Sequence, residues 1–99
     1  MTAYSNNSGN QAPFPLPSVV YNGQQAATGT AAALSAQILT NSIAIVALSS
    51  NTGTVYVGGV GVTTGTGYPL APGQAIGYTI ANANAVYIVG TGTVAWTGN

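Results

Sequence analysis

The chain has 99 residues and contains no Lys, Arg, Asp, Glu, His or Cys. Carboxylate and imidazole acid–base chemistry, amine and thiol nucleophiles, and the usual side-chain ligands of transition metals are thereby excluded. So are the cations that neutralise nucleic-acid phosphates and the polybasic patches that seek anionic membranes, although an ordinary soluble domain is about 25% charged.

Residues 1–17 differ from the rest. The polar run Ser5-Asn6-Asn7-Ser8-Gly9-Asn10-Gln11 is followed by Ala12-Pro13-Phe14-Pro15-Leu16-Pro17. Alternating prolines impose an extended, polyproline-like path and exclude a helix or a central strand. The segment is expected to be an extended arm, with Phe14 and Leu16 projecting from a stiff backbone: either a tail or linker, or an arm that docks these two side chains on a neighbouring subunit. Its beginning has neither the basic stretch nor the apolar core of a signal peptide, and no apolar run in the chain approaches the roughly 18 residues of a membrane span. Synthesis in a cytoplasm is the expectation, with no membrane partner.

Residues 18–99 read as one β domain. Val19-Val20-Tyr21 runs into Asn22-Gly23, a strong hairpin signal. Thr30-Ala31-Ala32-Ala33-Leu34-Ser35-Ala36-Gln37 has helix-forming composition, but its place among strands favours an extended segment. Residues 42–49 carry apolar side chains at both parities, which predicts a strand buried on both faces. Asn51-Thr52-Gly53 is a turn into the strand Thr54-Val55-Tyr56-Val57. Gly58-Gly59 predicts a bend, after which Val60 and Val62 alternate again.

Pro72-Gly73 suits a type II turn, and Ile76, Tyr78 and Ile80 alternate beyond it. Asn82-Ala83-Asn84 turns the chain into Val86-Tyr87-Ile88-Val89, and Gly90-Thr91-Gly92 leads to Val94-Ala95-Trp96, with Trp96 expected to cap the core. About seven short strands at turn spacings of 8 to 12 residues indicate an all-β sandwich, Greek-key or jelly-roll-like.

The glycine-rich stretches fail as phosphate loops. Gly59-Val60-Gly61-Val62-Thr63-Thr64-Gly65 lacks the third glycine of a dinucleotide fingerprint, and no Gly-Lys follows. Serine has no histidine to activate it, so the chain is read as no enzyme, with no cofactor and no metal. Aromatic side chains beside neutral amides can stack on sugars, which keeps a glycan as the second partner class. Thr64/Thr66 and Thr91/Thr93 suggest an ice-binding ladder, but the fixed repeat of such ladders is missing. A surface without charge has no self-repulsion and favours association. A homo-oligomer, or a subunit of a larger assembly, follows. The first contact candidates are Phe14, Leu16, Tyr21 and Tyr68.

One stretch carries a family likeness. Ser49-Ser50-Asn51-Thr52-Gly53-Thr54-Val55-Tyr56-Val57-Gly58, then Gly61-Val62-Thr63-Thr64 and Gly67-Tyr68-Pro69-Leu70-Ala71-Pro72-Gly73, resembles small structural proteins encoded among the virion genes of tailed bacteriophages. Val86-Tyr87-Ile88-Val89 and Val94-Ala95-Trp96 extend the likeness over residues 42–96. Members of that family usually carry acidic residues after the Pro-Gly turn, where this chain has Gln74 and Ala75. The resemblance implies a β-sandwich on the virion, a capsid decoration or cement protein whose partner is the major capsid protein or another virion component. It also leaves, as the alternative, a tail or fibre surface domain that binds host glycans.

Overall fold

The structure, a computed structural model, describes residues 16–99. Phe14 and most of the expected arm therefore lie outside the described residues. Eight strands are present among them: β1 (Tyr21–Ala27), β2 (Ala32–Ala33), β3 (Ile43–Ala47), β4 (Val55–Gly58), β5 (Tyr68–Leu70), β6 (Ala75–Tyr78), β7 (Tyr87–Gly90) and β8 (Gly92–Gly98). They form two four-stranded antiparallel sheets with orders β1-β8-β3-β6 and β2-β7-β4-β5. Each strand pairs with its mirror image about the β4–β5 connection: β1 with β8, β2 with β7, β3 with β6, β4 with β5. A long hairpin rolled up on itself gives this order, which is the jelly roll, the all-β sandwich that the turn spacing implies.

The two inner faces interdigitate. Ile43, Ile45, Ala47, Val94 and Trp96 come from one sheet, and Val55, Val57, Leu70 and Ile88 from the other, with Leu34, Leu39, Ala83 and Val86 closing one end. Alternation along β3 and β4 puts every second residue into this core. Asparagine amides fasten the connections where charged groups would otherwise serve. The Asn51 side chain accepts from the Thr93 N–H and donates to the Thr93 carbonyl, both at 2.9 Å. Asn82 caps a single 3-10 turn (Ala83–Ala85), its Oδ1 accepting from the amides of Asn84 and Gln37.

Several local expectations hold. Ala71-Pro72-Gly73-Gln74 is closed by the Gln74 N–H on the Ala71 carbonyl at 2.9 Å, with Gly73 at φ +86°, as a type II turn requires. The Gly73 N–H and the Gln74 carbonyl both bond Ala47. Two residues thus oppose one, which makes a glycine bulge that starts β6. The Ala-rich segment from Thr30 to Gln37 is extended, with its two paired residues forming β2.

Three expectations are corrected. Asn22-Gly23 is not a hairpin turn: both residues lie inside β1, paired with Thr97 and Trp96. A Cβ on Gly23 would fall 2.9 Å from the indole Nε1 of Trp96, so the glycine is there to seat the tryptophan, which is buried in the core. Residues 42–49 are not covered on both sides. β3 buries Ile43, Ile45 and Ala47 but exposes Ala44 and leaves Val46 half-buried, small residues whose apolar character does not require a second cover. Val60 and Val62 do not resume a strand, because β4 ends at Gly58 and the chain turns.

Candidate interaction surface

One end of the sandwich is built around the end of β8. The Asn99 main-chain oxygen accepts from the consecutive amides of Thr40, Asn41 and Ser42 at 3.1, 2.7 and 3.2 Å, and the Asn99 N–H donates to the Ser42 carbonyl. Convergent amides of this kind form a concavity that holds an oxygen. Next to it, Leu39 is buried over Gly98, where a Cβ would come within 3.0 Å of the leucine side chain. The Leu39 N–H is bonded to Ala81 and Ile38 is bridged to Asn82. With Leu39 held inward, Ile38 points out and is 75% exposed.

Two adjoining cavities result. The first, about 270 Å³, lies among Leu16, Val19, Tyr21, Thr40 and Asn99. The second, about 550 Å³, lies among Tyr21, Ala36, Ile38, Thr40 and Asn82. Tyr21 and Thr40 belong to both, so the two make one groove. Asn99 Oδ1, at its wall, is a buried acceptor without a hydrogen-bond partner. Such an atom costs about 1–3 kcal/mol while it stays unpaired.

Among the expected contact residues, Leu16 and Tyr21 meet on this groove. Leu16 is 86% exposed at its rim and half-buried Tyr21 forms its floor. Tyr68 stands apart. It is 56% exposed on the edge strand β5 and lines neither cavity. Its phenol neighbours that of Tyr78, whose pKa is pushed up by burial first and by Tyr68 second. Ile38, Thr40 and Asn99 escaped sequence reading. The adjacent aliphatics Ile38-Leu39 were the available signal, since only one of two neighbours can face the core.

The outer faces of the two sheets are unlike. On the first sheet, strand register lines up Asn22, Thr97, Ala44 and Gly77 in one row and Gln24, Ala95, Val46 and Ala75 in the next. A shallow depression of about 200 Å³ lies over Ala44, Val46, Ala75, Ala95 and Thr97. On the second sheet, residues 59–67 fold back over β4. A Cβ on Gly58 would fall 2.7 Å from Val62, and one on Gly67 would meet Tyr56 and Val62 at 2.7 and 2.9 Å. Val62 is thus seated between two glycines. The loop is fastened by Thr63 and Thr66, whose hydroxyls bond each other and the amides of Gly65 and Thr63.

No family model, curated protein or solved structure matches this chain. The groove and the bare face carry hydroxyls, amides, one phenol and apolar carbon. They offer no acidic or basic side chain, and what they can do chemically is hydrogen-bond and exclude water. Among the described residues no helix is long and apolar enough to cross a membrane.

Proposed function

We propose that this chain is a non-enzymatic structural protein of a virion: a capsid decoration or cement protein that seats on the assembled head of a tailed bacteriophage. The observation that carries the reading is the pairing of a chain without a charged side chain with a sandwich whose described residues leave a neutral groove and a flat neutral face uncovered. Such surfaces gain nothing from solitude in solution and much from a partner that covers them. The phage-like strand and turn pattern supports the same reading. Jelly rolls recur in viral capsid proteins and in lectins, and fold alone does not decide between them. The position of Tyr68 favours the first. It is the only exposed large aromatic among the described residues, and it lies outside the cavities where a sugar would need converging polar groups.

Attachment would rest on apolar area and neutral hydrogen bonds. Immuno-electron microscopy of particles from the source culture, before and after a wash in about 1 M salt, tests this. Label on the heads that survives the wash is the expected result. Unlabelled heads, or label shed by salt, would overturn it. Signal on a glycan array with unlabelled heads would move the assignment to a sugar-binding surface domain.

A further inference from the structure

We propose that the groove at the Asn99 end receives the proline-rich arm of a second copy, with Phe14 of one chain seated between Tyr21 and Ile38 of another. Each copy carries one arm and one groove, so exchange closes into a dimer or a ring.

The argument starts from where the described chain begins. Leu16 stands at the groove's rim with 86% of its surface exposed, and fifteen residues precede it. Phe14 lies only two residues further, about 6 Å along a polyproline path. To reach the farther cavity of its own chain the backbone would have to reverse. Pro13, Pro15 and Pro17 oppose a reversal, each fixing its own φ and pressing the residue before it into extended conformation. The prolines of residues 13–17 thus work against a turn into the chain's own farther cavity and leave that cavity for a neighbour's arm.

The chemistry of the two surfaces matches. Proline-rich segments dock into aromatic-lined grooves because little conformational entropy remains to be lost. The groove offers the Tyr21 ring, the exposed Ile38 side chain and a 550 Å³ cavity, within the roughly 300–1,000 Å³ of ordinary ligand clefts. Prolines bring no N–H, so the arm carries few backbone donors that docking would have to satisfy. Neither side has a charged side chain to desolvate. The inference does not depend on a virion role, since it concerns the isolated chain.

The natural absence of cysteine makes the test clean. The full-length double variant Phe14→Cys/Ile38→Cys, treated with a short bismaleimide, should give covalent dimers or higher oligomers on a denaturing gel. Cross-linked monomer would show the arm folded on its own groove, and no cross-link would show no docking. Either result overturns the proposal. Light scattering of Ile38→Gln, a change at an exposed side chain, should show self-association weakened about ten-fold or more with an unchanged melting temperature. An unaltered association constant would also overturn it.

Discussion

The outer face of β1-β8-β3-β6 is bare among the described residues and made of alanine, threonine, valine and glycine with Asn22 and Gln24 at its β1 edge, whereas that of β2-β7-β4-β5 is roofed by residues 59–67 with Val62 at the centre. The first tolerates exposure because its side chains are small. The second carries Tyr56, Tyr87 and Val89, apolar bulk that is worth covering. An uncharged chain cannot shield bulky apolar surface with the stems and heads of lysine or arginine, so here a loop takes that part. Mutational cost should accordingly be steep on the roofed sheet and nearly flat on the bare one.

The largest contrast is expected between two glycines. Gly90 has φ +124°, and a Cβ there would lie 2.5 Å from the Thr54 carbonyl oxygen. Gly90→Ala should cost about 3 kcal/mol in denaturant unfolding. A loss below about 1 kcal/mol would mean the roofed sheet yields easily. Val62→Ala comes next, at about 2 kcal/mol. Hydrogen exchange should speed up in residues 59–67 while the β3 amides stay protected; uniform loosening would show that the roof is not a separate unit.

A titration gives the third. No side chain changes charge between about pH 5 and 9, so melting should be flat there. Tyr78 has a raised folded-state pKa. Its contribution is full below the ordinary tyrosine value of about 10 and is lost as pH rises through the folded value. Tyr78→Phe should flatten that alkaline limb, and an unchanged limb would assign it elsewhere. The smallest effect belongs to the bare face. Gly77→Ala, whose new Cβ meets only the Ile43 carbonyl at 3.4 Å, should leave stability the same or raise it by about 0.5 kcal/mol. A substantial loss would show that this face is packed against something in solution.

The same contrast explains what could be read from sequence. Alternation in Val55/Val57 and Ile76/Tyr78, with the Pro72-Gly73 turn, made the sandwich legible because both are local. The two-sided burial expected of residues 42–49 failed because Ala44 and Val46 look like core residues yet sit on the bare face. Asn22-Gly23 misled because the need for its glycine arises at Trp96, on the far side of the chain. Leu16 and Tyr21, picked out by sequence, line the groove. Their partners Ile38, Thr40 and Asn99 were not picked out, since only the end of β8 and the following nest of amides bring these three together.

The pairing of Asn22 with Thr97 inside β1 has a chemical consequence for ageing. An asparagine followed by glycine is the most labile of sites for deamidation, because the glycine nitrogen easily attacks the side-chain amide to form a cyclic imide. Held in an antiparallel ladder, the Gly23 nitrogen cannot swing onto Asn22. Folding thus guards neutrality at this site: Asn22 stays uncharged in the ladder, and time spent unfolded is recorded as new carboxylates at position 22.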